Sequence, residues 1–319
     1  MSSSAGSVSS PLLSPVGLAV MCYAIWGFVP LFYVPIHAFG GGAVEIIAHR
    51  SVWALAWAGG LVWATKQWPE VAAAFRSPHL RWMLLVTSLL VATNWGIYVW
   101  AVTNGHTVES ALGYYLNPVL NMAAGALLFR ERLDNWGKGA IALAFIGVII
   151  QAVAIGHVPW IALSLAVSFG SYGILRKQLP VNALAGLFVE CAYLFLPALI
   201  YIVWFETTGQ GHFFLHPTNA FWFLLTGPVT VLPLALFSHV ARRLPLSTMG
   251  FIQFIGPTIT FAIGLFQGEP FTVLRGVSFA FIWLGALVFA FGAWRRLKDL
   301  RRGGTAPSTP LQSGVEGVD

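Results

Sequence analysis

Three ionisable residues lie close together in one apolar stretch of the sequence: Glu45, His49 and Arg50. Glu45 and His49 are four residues apart, so on a helix they share a face and can touch. Because histidine titrates near neutral pH, this pair favours a proton relay along a pathway through an apolar medium. The alternative is an interfacial cluster in which Arg50 neutralises Glu45 and extends to the surface.

A further carboxyl group, Glu190, has apolar residues on both sides and no basic residue near it in the sequence. It must find a partner on another helix or take up a proton, because an isolated charge is costly in an apolar environment. Its two candidate roles are proton carrier and structural hydrogen-bond donor. We predict that proton coupling or gating involves Glu45, His49, Arg50 and Glu190.

Amide, imidazole and aromatic side chains are concentrated in a few apolar segments. Asn94 and Tyr98 share a helix face at i, i+4 spacing. Polar side chains of this kind can simply join helices, but their concentration near two prolines favours the lining of a binding cavity. The predicted substrate-contacting residues are Trp26, Asn94, Tyr98, Tyr114, Asn117, His239 and Gln253.

The two prolines, Pro118 and Pro257, lie within apolar runs. A proline inside a helix has no N–H to donate and clashes with the carbonyl four residues earlier, here that of Tyr114 or Gln253. Interrupted helices in corresponding positions of two halves point to the binding site of a transporter. We therefore predict that Pro118 and Pro257 break their helices.

Composition sets the class of protein in which these residues must act. Hydrophobic residues make up 57% of the chain and charged residues 9%, whereas soluble domains carry about 25% charged residues. This predicts an all-α polytopic membrane protein. Nucleic-acid binding is excluded despite the net charge of +6, because the basic residues lie in short loops. The sequence has no phosphate-binding loop and no metalloprotease or hydrolase motif, so we predict no enzyme, cofactor or metal site.

Ten membrane spans are predicted, and loop charge supports the count. With both termini in the cytoplasm, 15 of the 17 Lys and Arg residues fall on the cytoplasmic side, which leaves only Arg50 and Arg275. The predicted spans are 16–36, 44–65, 82–103, 109–129, 136–155, 158–175, 184–205, 220–240, 247–267 and 273–294.

The second half of the chain echoes the first. Trp26-Gly27 corresponds to Tyr172-Gly173, Glu45 to Glu190, and Pro118 to Pro257. A five-span unit used twice must enter the membrane from opposite sides, which predicts an inverted-topology repeat. The predicted organisation is a disordered tail at 1–15, one five-helix repeat at 16–155, a second at 156–296, and a basic flank with a disordered tail at 297–319.

Several strings together make the chain similar to the RarD subfamily of EamA-type transporters, in the drug/metabolite transporter superfamily. The resemblance covers about residues 17–296 and includes the second-half motifs around Glu190 and Gly268-Glu269. In the first half it rests on Tyr23-Ala24-Ile25-Trp26-Gly27, Glu45-Ile46-Ile47-Ala48-His49-Arg50, Asn94-Trp95, Leu112-Gly113-Tyr114-Tyr115-Leu116-Asn117-Pro118 and Arg130-Glu131-Arg132.

The resemblance implies ten helices in two inverted repeats, a bacterial inner-membrane location and a central cavity. It also implies export or exchange of small metabolites or drugs without ATP. The alternatives are a passive facilitator of small polar solutes and a membrane sensor or scaffold that does not transport. The expected partners are a small-molecule substrate and the lipid bilayer, while proton coupling and a homodimer stay open. A cavity with amide and aromatic lining and no obvious fixed cation suits neutral or zwitterionic solutes.

Overall fold

The structure is a computed structural model that describes residues 14–128, 134–241, 243–244 and 252–302. All regular secondary structure in these ranges is α-helical, which confirms the predicted all-α class. The helices of the described part are α1 Pro15–Ala38, α2 Ala43–Ala64, α3 Trp68–Arg76, α4 Pro78–Thr103, α5 Thr107–Leu128, α6 Asn135–Ile155, α7 Trp160–Lys177, α8 Ala183–Thr207, α9 Pro217–Ala241, α10 Ile255–Phe266 and α11 Val273–Arg302.

Six of these helices are long and apolar enough to cross a membrane: α1, α4, α6, α8, α9 and α11. A crossing needs ~20 mostly apolar residues, and α7 and α10 are shorter apolar helices. Large apolar side chains such as Trp63, Val153 and Phe266 are exposed on the outside of the helical bundle. Apolar surface of this extent belongs in lipid, so the chain is a multi-pass membrane protein.

Local signals in the sequence set several helix ends. Ser14, Ser77 and Asp134 each accept a hydrogen bond from the backbone N–H three residues later, which satisfies a donor that the first helical turn leaves free. Gly156 ends α6 in the left-handed conformation, with φ of 75°. Glycine adopts this conformation without a steric penalty.

The two prolines predicted to break helices behave differently. Contrary to that expectation, α5 is continuous through Pro118, from Thr107 to Leu128. Membrane helices tolerate an interior proline when neighbouring groups satisfy the freed carbonyl. A turn at Gln253–Phe254 precedes α10, so Pro257 lies in the first turn of a new helix, where its missing N–H costs nothing.

A short helix that the predicted spans did not include, α3, connects α2 to α4. Its Glu70 carboxylate accepts hydrogen bonds from the backbone N–H and the side-chain amide of Asn182, the residue that precedes α8. Glu269 plays a comparable part beyond α10, because it accepts from the backbone N–H groups of Thr107 and Val108 at the start of α5. Each carboxylate lies at the N-terminus of a helix, where the positive end of the helix dipole stabilises a negative charge.

Each helix pairs mainly with helices from the other half of the chain. In this packing α1 contacts α9 and α10, α7 contacts α4 and α5, α2 contacts α8 and α9, and α6 contacts α11. Two glycines allow close approach. A Cβ on Gly27 of α1 would lie 2.9 Å from the carbonyl oxygen of Gly256, and one on Gly113 of α5 would lie 2.8 Å from that of Ala162 in α7.

Parts of the predicted organisation lie outside the described residues. These are residues 1–13 of the first tail, residues 303–319 of the second, and the segments 129–133 and 245–251, the first of which contains Glu131. Residues 297–302, predicted as a flank after the last span, continue α11 to Arg302.

Candidate functional site

Asn94 joins three helices in the middle of the bundle. Its Nδ2 donates to the carbonyl oxygen of Leu165 and to Oγ of Ser168 on α7, both at 3.1 Å, and its Oδ1 accepts from the Tyr114 hydroxyl of α5 at 3.0 Å. Only 1% of Asn94 is exposed. The amide is therefore saturated by protein groups, so it positions Tyr114 rather than offering a free amide to a ligand.

Aromatic rings continue from this amide towards α2. The Tyr114 ring meets Tyr98 edge-on at 5.5 Å between centroids, and Tyr98 meets Tyr33 of α1 at 6.5 Å. The Tyr33 hydroxyl accepts a hydrogen bond from Nη1 of Arg50 at 2.9 Å. We call Tyr33, Arg50, Asn94, Trp95, Tyr98 and Tyr114 the central cluster.

Arg50 is a member of this buried cluster and not a surface residue. Only 7% of it is exposed, and its guanidinium carbon lies 4.1 Å from the centroid of the Trp95 ring. Within the described ranges the two ion pairs closer than 4.0 Å are Arg176 with Glu190 and His212 with Glu45. The interpretation in which Arg50 neutralises Glu45 and extends to the surface is therefore wrong, because the guanidinium turns inward onto an aromatic face.

Glu45 forms its contacts with the loop that follows α8. Its Oε1 accepts from the backbone N–H of His212 at 2.8 Å, and its Oε2 lies 2.9 Å from Nδ1 of the same histidine. Glu206, at the end of α8, accepts from the backbone N–H of Phe213 at 2.8 Å. Two carboxylates thus hold one short stretch of loop against the start of α2. We call Glu45, His49, Glu206 and His212 the loop cluster.

His49 lies beside these carboxylates, between two phenylalanine rings. Its ring stacks on Phe213 and Phe223, with centroids 4.9 and 4.2 Å away. The Trp53 indole N–H donates to Nδ1 at 3.3 Å, and Nε2 is buried with no hydrogen-bond partner among the described residues. Because an indole can only donate, the proton of a neutral His49 is on Nε2.

One nitrogen of His49 and one oxygen each of Glu45 and Glu206 lie within 4.8 Å of one another. Ligands at such spacing can hold a metal ion. A ring nitrogen that carries a proton does not bind a metal, however, so the Trp53 contact opposes ligation through Nε2. The arrangement is better suited to proton exchange, because it places a buried imidazole close to two carboxylates.

Glu190 is fully buried and held by three side chains. Its Oε1 accepts from Thr87 of α4 at 2.7 Å, and its Oε2 accepts from Tyr172 of α7 at 3.1 Å. Nε of Arg176 lies 3.6 Å from Oε1. The partner that Glu190 required is therefore supplied by other helices, one of them in the opposite half of the chain.

Of the other predicted site residues, Trp26 packs in the same apolar cluster as Tyr98 and Tyr114. Asn117 is 6% exposed, and its Oδ1 is buried with no hydrogen-bond partner in the described part of the chain. Trp26 packs on Tyr23 and on the α9 side chain Phe237, and Gln253 is half-buried in the turn before α10. His239 is exposed and lines a cavity of about 310 Å³ with Thr65, Gln67, Asn182 and Arg243 among its walls.

Sequence reasoning did not single out several residues that complete these sites. Thr87 and Tyr33 carry only hydroxyls within apolar helices, which gives no distinct signal. Arg176 was assigned to a cytoplasmic loop, although its spacing of four from Tyr172 places both on one helix face. Glu206 and His212 had a usable signal, since the loop after α8 is predicted to emerge on the same side as the start of α2.

Comparison with known proteins identifies the family. No protein-family model matches the chain. The chain is 42% identical over 295 residues to an uncharacterized transporter of Pseudomonas aeruginosa, which covers 90% of this chain and 96% of that protein. It is 38% identical over 282 residues to Protein RarD of Streptomyces exfoliatus, with 88% of each chain covered.

A solved crystal structure with 18% sequence identity covers 89% of this chain and 99% of its own, with a TM-score of 0.56. At that identity the match shows a shared fold and no more. The sequence relatives carry the assignment, because their identity extends over most of the chain and their names agree. On these grounds the protein is a membrane transporter that belongs to the RarD subfamily of the drug/metabolite transporters.

Proposed function

We propose that this chain is a secondary transporter that exports or exchanges small metabolites or drugs by alternating access. Its two five-helix repeats, 16–155 and 156–296, would rock against each other around the central cluster. Transport would use no ATP. The protein would lie in the bacterial inner membrane with both termini in the cytoplasm, in keeping with the loop charges.

The observation that carries this proposal is the symmetry of the helix pairing. Let α1, α2, α4, α5 and α6 correspond to α7, α8, α9, α10 and α11. Exchanging the halves then converts the pair α1–α9 into α7–α4, α1–α10 into α7–α5, and α2–α9 into α8–α4, and all six pairs are observed. The pairs α2–α8, α5–α10 and α6–α11 convert into themselves and are also observed. Such exchange is what two copies of one repeat require, and where the copies are inverted it permits two equivalent packings with opposite openings.

The hydrogen-bond network supports a rocking motion at the boundary between the halves. Asn94 and Thr87 of the first repeat bond to α7 and to Glu190 of the second. Glu45 of the first repeat bonds to His212 of the second. A transition between two states needs contacts that exist in one arrangement and break in the other. We propose that Glu45, His49 and Glu190 serve as gating or proton-coupling groups in this sense.

Substrate binding is tested by a thermal-shift screen of the purified protein against amino acids, nucleosides, aromatic metabolites and chloramphenicol. A ligand that binds the folded state raises the unfolding temperature by mass action. We expect a hit that Asn117→Ala weakens, while the exposed Asn104→Ala on the loop after α4 leaves it unchanged. A folded protein that binds nothing in the screen and moves none of these solutes in liposomes would contradict the proposal.

Energy coupling separates a proton-coupled exchanger from a passive facilitator. In liposomes loaded with a hit compound, an imposed pH gradient should drive accumulation above the equilibrium level. Glu190→Gln should abolish accumulation while equilibration down the gradient continues. If the wild-type protein only equilibrates the compound, the passive alternative is correct. If the Glu190→Gln protein still accumulates the compound with unchanged pH dependence, Glu190 is not the proton carrier.

The orientation is tested by a green fluorescent protein fused to the C-terminus, which fluoresces when it folds in the cytoplasm and not after export through the general secretion pathway. Bright cells are expected. Dark cells with full-length fusion protein in the membrane would contradict a cytoplasmic C-terminus.

A further inference from the structure

Arg50 is a buried cation whose hydrogen-bonding capacity is mostly unused. A guanidinium carries five N–H donors, and the one hydrogen bond it forms in the described structure is from Nη1 to the Tyr33 hydroxyl. Its Nε is buried with no hydrogen-bond partner among the described residues, and the residue is 93% buried, being 7% exposed. The Trp95 face beneath it provides a cation–π contact and no acceptor.

A cation in this condition is costly for the folded protein. Removing a guanidinium from water is compensated when a carboxylate and further acceptors surround it. Within the described ranges no carboxylate lies within 4.0 Å of Arg50, whereas the half-buried Arg176 has Glu190. The missing negative charge is therefore a property of this position and not of every arginine in the bundle.

The surroundings of Arg50 match a ligand with one negative charge and an apolar body. The guanidinium lies over the Trp95 ring and bonds to Tyr33, whose ring is in edge-on contact with Tyr98 and through it with Tyr114, and no acidic side chain belongs to the central cluster. One guanidinium balances one carboxylate, to which it can donate two parallel hydrogen bonds. A phosphate monoester, with a charge of about −1.5 to −2 at pH 7, would leave negative charge unbalanced.

We propose that Arg50 binds the carboxylate of the transported substrate, and that Trp95, Tyr98 and Tyr114 contact its apolar or aromatic body. This inference rests on the proposed transport function and names the substrate class of the same site. It replaces the expectation of a site without a fixed cation, which favoured neutral or zwitterionic solutes. The substrates are small monocarboxylates, and a planar ring suits the aromatic lining.

The test compares each acid with the amide in which a neutral group replaces the carboxylate. Binding of 3-phenylpropanoate and of 3-phenylpropanamide to the purified full-length protein is measured by thermal shift and by tryptophan fluorescence, and again with phenylalanine and phenylalaninamide. In the wild-type protein the acid should bind at least about tenfold more tightly than its amide, since a hydrogen bond to a charged group is stronger than one to a neutral group.

Variants at Arg50 test whether the preference for the acid over its amide depends on this side chain. Arg50→Gln should bring the ratio of acid to amide affinity to about one, and Arg50→Lys should keep part of it, because lysine retains the charge without the planar pair of donors. Arg81→Gln removes an exposed arginine of α4 and should leave the ratio unchanged. If Arg50→Gln does not fold, the wild-type ratio and Arg50→Lys decide.

Two results would overturn the inference. One is equal binding of acid and amide by the wild-type protein. Binding of neither acid, while neutral or cationic solutes are transported, has the same meaning. In both cases the transporter proposal stands and the proposed substrate class is wrong. The other is an acid preference that survives in folded Arg50→Gln. Failure to transport any solute would instead contradict the transporter proposal itself.

Discussion

The two buried carboxylates at corresponding positions of the repeats, Glu45 on α2 and Glu190 on α8, are satisfied in different ways. Glu45 bonds to a loop, through the backbone and ring of His212. Glu190 bonds only to side chains of helices, and one of its partners, Arg176, carries a fixed charge. A loop can release its contact at small cost, whereas packed helices must separate to release theirs. Glu45 therefore acts as a latch, a contact that a movement of the loop alone breaks, and Glu190 acts as a tie, a contact that breaks only when the helices of the two halves move apart.

The largest difference is expected when each carboxylate is removed. Glu190→Ala leaves the Arg176 guanidinium without its counter-charge and the Thr87 hydroxyl without its acceptor, which should lower the free energy of unfolding by about 3–5 kcal/mol. Glu45→Ala should cost less, because the freed loop can turn to water. Chemical unfolding in mixed micelles measures both. Equal losses in the free energy of unfolding would contradict the distinction between latch and tie. Glu190→Gln serves as the isosteric control.

A glycine on α8 tests whether the contact between Arg176 and Glu190 contributes to stability. A Cβ at Gly186 would overlap the Arg176 guanidinium nitrogens, so Gly186→Ala must displace that side chain from its position beside Glu190. We expect a loss of about 1–3 kcal/mol in the free energy of unfolding. Gly60→Ala in α2, where a Cβ meets nothing within 4 Å, is the matched control. It should gain about 0.5–1 kcal/mol, and similar values for the two variants would refute the steric argument.

The smallest expected effect is local to the loop. Glu45→Gln weakens the contact with His212 by about 1 kcal/mol, so the amide of His212 should exchange with deuterium about fivefold faster. Exchange in the core of α8 should not change. Glu190→Gln should leave the loop amides at wild-type rates. Faster exchange throughout α8 in Glu45→Gln would show that Glu45 is also a tie.

The sequence was a good guide wherever a local pattern decides the structure. Hydropathy runs predicted an all-α membrane protein, and the described part of the chain has six helices long and apolar enough to cross a membrane. The caps at Ser77 and Asp134 can be identified from residue type alone. The predicted break at Pro118 was wrong, because a proline in a membrane helix ends the helix or is accommodated according to what surrounds the freed carbonyl. Identical signals at Pro118 and Pro257 therefore gave a continuous helix and a helix start.

The candidate sites were predicted less completely. The structure brings Asn94, Tyr98 and Tyr114 together, and their role in substrate binding stays a prediction. The contacts of Arg50 with Tyr33 and Trp95 beside them were not predicted. From the sequence, Arg50 was predicted to take part in proton coupling or gating, with a position at the surface as the alternative. Whether a long side chain turns outward to water or inward to an aromatic ring depends on neighbours from other helices, here Tyr33 and Trp95.

The amino-acid sequence by itself determined the membrane class and the order of helices, because the free energy of inserting a segment depends mainly on that segment's own residues. Only the tertiary structure decided which charges are paired. Glu45 meets a histidine 167 residues away, Glu190 meets a threonine 103 residues away, and Arg50 meets no carboxylate in the described part of the chain. Such pairings depend on how helices from the two halves pack, and no local pattern in the sequence encodes that packing.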